Sequence, residues 1–187
     1  KLTSFVGGMS VITDRLAETL PSSSISFKNR VINITENSNS VIITVDTPSG
    51  QQQLETNLLV ITSPADESAN MLRSINCELS NKIATVPHAP LGVTHVAYGP
   101  NQVQHTLKGF GFLCQPETGH PLMGAIFSSS LFANRAPNDK HLLSCYIGGA
   151  VNPGLANVLE DAKLANAINE LNRYIGGSCA PEVISKI

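Results

Sequence analysis

The 187 residues are enough to bury a sizeable core, as one large domain or two intimate lobes. Apolar residues make up 42% and charged residues 14%, a globular rather than a disordered composition. The formal charge of -2, with lysines and arginines scattered, gives no electrostatic reason to expect nucleic acid, and no apolar run is long enough to span a bilayer as a helix.

The first element is a helix in GGMSVITDRLAETLP, where Met9, Ile12 and Leu16 fall on one helical face between Gly7-Gly8 and Pro21. SISFKNRVINITENSNSVIITVD then reads as two β-branched strands joined by a polar turn at Glu36–Ser40, and PSGQQQ turns the chain again. The continuously apolar NLLVITSP, residues 57–64, suits a short strand buried on both faces of a mixed or parallel sheet. Residues 1–64 are therefore expected to form one helix-plus-sheet lobe and residues 65–187 a second.

From Pro64 the texture changes. PADESANMLRSINCELSNKIATV carries weak helical periodicity, with Pro64 near the helix start. Strand-like runs follow at Leu91–Tyr98, Phe110–Cys114, Leu122–Phe127 and His141–Ile147. The clearest helix is NVLEDAKLANAINELNRYIGG, whose apolar side is expected at Val158, Leu159, Ala162, Ala165, Ile168 and Leu171, with Gly176-Gly177 as its stop. Strands followed by one long helix make the fold class α+β, with a mixed sheet backed by that helix.

Few residues announce chemistry. In GFGFLCQP, Gly109 and Gly111 begin a G-x-G pattern but the third glycine is missing, and Phe110, Phe112 and Leu113 continue as a strand. That argues against a phosphate cradle and for glycines that admit close packing. Ser128–Ser130 has no G-x-S-x-G elbow around it, so its hydroxyls are read as satisfying backbone groups at a strand end. His88, His95, His105, His120 and His141 lack metal-ligand spacing, as do Cys77, Cys114, Cys145 and Cys179. Cys114 and Cys145 lie in apolar runs and read as free buried thiols, so a reducing, cytoplasmic setting is the simpler expectation. Arg135 could hold a carboxylate or be a solvated loop charge. On residues alone the chain is an α+β binding lobe with no self-contained catalytic constellation.

The order of GFGFLCQP, LMGAIFSSSLFANRAP and LLSCYIGGAVNPG resembles the oxygen-dependent, FAD-containing protoporphyrinogen oxidases of the flavin amine oxidase superfamily. SFVGGMSVITDRLAETL is similar to that family's segment in which a Gly-Gly-Met or Gly-Gly-Leu precedes a helix, and NRVINITENSNSVIITVDTPSGQQQLETNLLVITSPA to the following hairpin and strand. The resemblance implies FAD as cofactor, oxygen as electron acceptor and protoporphyrinogen IX as substrate. Val31, after Arg30, matches the valine whose backbone contacts the adenine side of FAD, and Thr62, Ser63 and Pro64 match the turn close to the cofactor. Phe110 and Leu113 match residues packing on the tetrapyrrole, Ile126 a second apolar wall, and Tyr146 a position where the family often has an aromatic or Met.

The resemblance assigns no catalytic acid or base here and no metal. It admits peripheral membrane association and a homodimer for the whole enzyme. KLTSFVGGM begins as though in mid-protein, and the family's G-x-G-x-x-G unit, helical membrane-binding region and C-terminal flavin segment are not in this stretch. The chain is thus expected to be an internal piece that binds FAD weakly or not at all and is inactive alone. Oxidation of another porphyrinogen, such as coproporphyrinogen, and a non-enzymatic tetrapyrrole-binding module are the alternatives.

Overall fold

The structure is a computed structural model describing residues 3–115, 121–156 and 161–187. Val158, Leu159 and His120 lie outside the described residues. The chain divides into two units, Gly7–Pro87 and Lys1–Val6 with His88–Ile187, so the boundary falls after Pro87 and not after residue 64.

The Gly7–Pro87 unit opens with α1 (Ser10–Glu18). Its apolar stripe is present as expected, yet none of its residues is buried, and Met9 and Leu16 are exposed. Strands β1 (Arg30–Glu36), β2 (Val41–Thr47) and β3 (Gly50–Thr56) form an antiparallel sheet in that order. The first hairpin closes with Asn37 N–H donating to Ser40 O at 2.8 Å, and the second turns through Gly50 at φ +111°, a conformation L side chains rarely adopt. Period-two alternation buries Ile34, Ile43 and Val45 on one face.

Helices α2 (Ala65–Leu72) and α3 (Cys77–Ala84) complete this unit. Asn76 caps α3 by accepting from Leu79 N–H at 2.9 Å, the polar signal the sequence reading overlooked there. Ser80 Oγ donates to Ala69 O and Ser74 Oγ donates to Ile34 O, each at 2.7 Å. These bonds tie the helices to each other and to β1, which is why they belong with the first sheet.

The stretch 57–63 is not the doubly buried strand that its composition suggests. It pairs with no strand among the described residues. Leu58 and Val60 are 78% and 73% exposed, whereas Leu59, Ile61 and Ser63 turn inward. Burial on both faces requires layers packed above and below the strand, and here only one side is covered.

The second unit is built on a five-stranded sheet in the order β5-β6-β7-β4-β8. Its strands are β4 (Leu91–Tyr98), β5 (Gly111–Leu113), β6 (Leu122–Ile126), β7 (His141–Gly148) and β8 (Glu182–Lys186), with the short α4 (Ser128–Leu131) after β6. Every ladder of this sheet among the described residues is antiparallel, where a mixed sheet is expected from the sequence; a parallel sheet needs layers on both faces, whereas an antiparallel sheet can leave one face open.

Helix α5 (Asp161–Ile175) covers one face of this sheet. Its buried side is Leu164, Ala167, Leu171 and Ile175, while Ala162 and Ala165 are exposed. The stripe is rotated from the expected one because alanines report weakly on facing and the longer side chains decide it. The helix stops at Gly176, φ +63°, as expected. The core beneath it includes Val96, Leu107, Leu143, Ile147 and Tyr98, whose hydroxyl donates to Asn172 Oδ1 at 2.8 Å. Cys145 sits in the same core, and burial pushes its thiol pKa up to about 12.

Candidate functional site

The face of the sheet opposite α5 carries the larger chemistry. Cross-strand partners share a face. One row across the strands therefore reads Leu113, Gly124, Tyr146 and Val93, and the next reads Gly111, Ile126, Ser144 and His95. Leu113 projects from β5 at 90% exposure and Phe110 stands just before it at 49%. Between Leu113 and Tyr146 the floor is Gly124, which has no side chain to fill it.

The result is an apolar cleft of about 500 Å³, lined by Phe110, Leu113, Ile126 and Tyr146 with Leu91, Met123 and the two glycines. All of the residues predicted to wall a ligand thus line one cavity. Leu91 and Met123 were missed. Met123 is exposed, and its Sδ lies close to where a side chain on Gly149 would be.

The glycines are structural requirements of the cleft. Gly111 has φ +145°, and a Cβ there would run into the Ala125 carbonyl oxygen. A Cβ on Gly124 would run into the Phe112 carbonyl oxygen and come within 3.1 Å of Leu113 Cα. Both allow β5 and β6 to approach, so the apparent phosphate motif is a packing device. Behind β5, Phe112 turns to the core and meets Tyr174 at 4.7 Å between ring centroids. The hydrogen bond to Cys114 raises the Tyr174 pKa, while burial raises that of Cys114.

The other unit holds a cleft of about 530 Å³. Arg30, Val31 and Ile34 from β1 face Leu59–Ser63 across it, with Glu67 and Met71 from α2. Val31, Thr62 and Ser63 come together here as predicted positions. Pro64 does not line the cleft; it begins α2, with Ser68 N–H donating to its carbonyl at 2.8 Å. Ser63 Oγ lies 2.8 Å from Ser68 Oγ, so the hydroxyl also helps hold the turn.

Arg135 is half-buried and partnered within the chain rather than a free loop charge. It donates to Ser4 Oγ at 2.6 Å and Phe5 O at 3.3 Å, and its guanidinium lies 5.7 Å from the Phe132 ring centroid. Among the described residues no cluster of three or more His, Cys, Asp or Glu could hold a metal ion, and no helix is long and apolar enough to cross a membrane.

The sequence profile of the flavin containing amine oxidoreductases matches residues 2–185. The chain belongs to that family. Among its relatives, the chloroplastic protoporphyrinogen oxidase of Nicotiana tabacum is 31% identical over 71% of this chain and 25% of its own length. The mitochondrial protoporphyrinogen oxidase of the same plant is 27% identical over 98% of this chain and 39% of its own. The chain spans well under half the length of these curated relatives.

Two solved structures place this flavin amine oxidoreductase chain in the family's fold. A chain assigned as a protoporphyrinogen oxidase from Exiguobacterium sp. superposes with TM-score 0.76 at 19% identity, over 96% of this chain and 38% of its own. Reduced UDP-galactopyranose mutase superposes with TM-score 0.69 at 15% identity, over 97% of this chain and 38% of its own. At such identities the likeness is one of fold alone.

Proposed function

We propose that this chain is the tetrapyrrole-binding part, together with some of the cofactor-binding part, of an FAD-dependent protoporphyrinogen oxidase. That enzyme converts protoporphyrinogen IX to protoporphyrin IX with oxygen as electron acceptor. The observation that carries the reading is the convergence of Phe110, Leu113, Ile126 and Tyr146 on one apolar cleft. A flat macrocycle is held by aliphatic and aromatic walls, with few polar groups to orient it. The glycine floor at Gly124 offers such a ligand a close approach to backbone.

The cleft of the Gly7–Pro87 unit fits one end of a dinucleotide. Val31 lies on β1, an edge strand, where alternate backbone N–H and C=O groups have no ladder partner and can read the edge of a base. Apolar Ile34 and Met71 would pack on its face, with Thr62 nearby. When bound, the flavin supplies the hydride-accepting chemistry. This chain's residues bind and orient substrate and exclude water from its apolar faces.

Steady-state assays of the whole enzyme with protoporphyrinogen IX and with coproporphyrinogen test the assignment. Turnover of protoporphyrinogen that falls on replacing Leu113 or Ile126 by Asp is the expected result. Preference for coproporphyrinogen, or kinetics untouched by both changes, refutes it.

A further inference from the structure

We propose that His95, held by Ser144 and Ser128, is the polar anchor of the apolar cleft and binds a carboxylate of the ligand. This inference rests on the tetrapyrrole reading of the cleft. The three residues come from β4, β7 and the start of α4, and they form one hydrogen-bonded chain. His95 Nδ1 lies 2.9 Å from Ser144 Oγ, and Ser144 Oγ lies 2.7 Å from Ser128 Oγ. In strand register His95 sits between Ser144 and Ser185, and Ser144 sits between His95 and Ile126, a wall of the cleft. His95 is thus two strands from Ile126, on the order of 10 Å across the same face.

The chain can run in either direction, since each hydroxyl can donate or accept. If Nδ1–H donated to Ser144, the proton would pass to Ser128, whose remaining acceptor is Ile126 O at a long 3.5 Å. The opposite order, Ser128 donating to Ser144 and Ser144 to Nδ1, uses only the two short contacts. That order makes Nε2–H the donor, as it also is in imidazolium. Nε2 has no hydrogen-bond partner among the described residues, and His95 is half-buried. His95 does not itself line the cleft; it lies on the same sheet face, on the strand next to the one that carries Tyr146. From there an Nε2–H donor is complementary to one group of a tetrapyrrole in particular, the carboxylate of a propionate arm, which extends beyond the macrocycle. Ser144 is buried, so its hydroxyl orients the ring rather than meeting the ligand.

The test is fluorescence titration of the 187-residue chain with protoporphyrin IX and with its dimethyl ester, in the same detergent. The ester keeps the macrocycle and removes the anionic oxygens. A charge-assisted bond predicts that the diacid binds about 10-fold or more tightly than the ester. His95→Leu should bring that ratio close to one while leaving ester affinity unchanged; His95→Gln should retain part of it, and Ser144→Ala should lower it. A ratio maintained in both His95→Leu and Ser144→Ala overturns the inference and leaves the cleft reading standing. So does an equal loss for both ligands in His95→Leu, which marks a purely structural role. Failure of the unaltered chain to bind either porphyrin overturns the cleft reading itself. Circular dichroism of each variant establishes that the fold is kept.

Discussion

Leu113 offers a clean separation of binding from folding. Its side chain is 90% exposed in the free chain, so the fold gains almost nothing from burying it, and Leu113→Asp should leave the unfolding free energy within about 0.5 kcal/mol. A macrocycle seated in the cleft would cover that side chain. Burying a leucine contributes about 1.5–3 kcal/mol, which corresponds to roughly 13- to 160-fold in affinity. An aspartate there also brings a carboxylate that must be desolvated without a partner, so the loss should lie at the upper end of that range or beyond. Porphyrin fluorescence titration measures the affinity, and urea denaturation followed by circular dichroism measures stability on the same preparations. Affinity within twofold of the unaltered chain, at unchanged stability, would refute the reasoning, because it would mean that the ligand does not cover β5.

The remaining predictions concern the scaffold. Gly124→Ala places a methyl against the Phe112 carbonyl and the cleft floor, so it should destabilise by about 1–3 kcal/mol in denaturant titrations and weaken porphyrin binding together. Leu143→Ala removes a fully buried side chain and should cost about 2–5 kcal/mol, read as a lower urea midpoint with little change in slope. Cys145 has its folded pKa raised from 9.0 to about 12, so the folded state keeps a proton that the unfolded state releases. The associated stability is full below pH 9 and is lost as pH rises through that interval. Denaturation midpoints should therefore fall between pH 9 and 11 more steeply for the unaltered chain than for Cys145→Ala. Parallel slopes would contradict the burial of this thiol.

Local pattern carried much of this fold. Alternation in the strands and the helical period of the C-terminal segment placed β1, β2, β4, β6, β7 and α5 close to where they lie. What failed was information held outside the segment concerned. NLLVITSP is apolar enough for a doubly buried strand, but whether Leu58 and Val60 are covered depends on partners the local sequence does not name. The facing of α5 was mistaken because Ala162 and Ala165 weigh as much as Leu164 in a binary pattern and far less in buried area. The wall residues were reached through family resemblance. Leu91 and Met123, with no such cue, needed the register.

Register also explains why the polar side of the cleft was invisible. His95 and Ser144 lie 49 positions apart, and nothing in LGVTHVAY or LLSCYIGG indicates that they face each other. A slip of one residue in the β4–β7 ladder would turn one of the two strands over, sending either His95 or Ser144 to the α5 side. The core enforces the observed pairing, since the same slip would expose either Val96 and Tyr98 or Leu143, Cys145 and Ile147. The apolar face that makes the sheet fold therefore also sets which residues meet on the opposite face. A core change that loosens β4 against β7 should alter ligand orientation before it abolishes folding. That consequence can be read in the diacid-to-ester ratio of a mild variant such as Val96→Ala, whose side chain lies in the core on the α5 side of the sheet and not in the cleft.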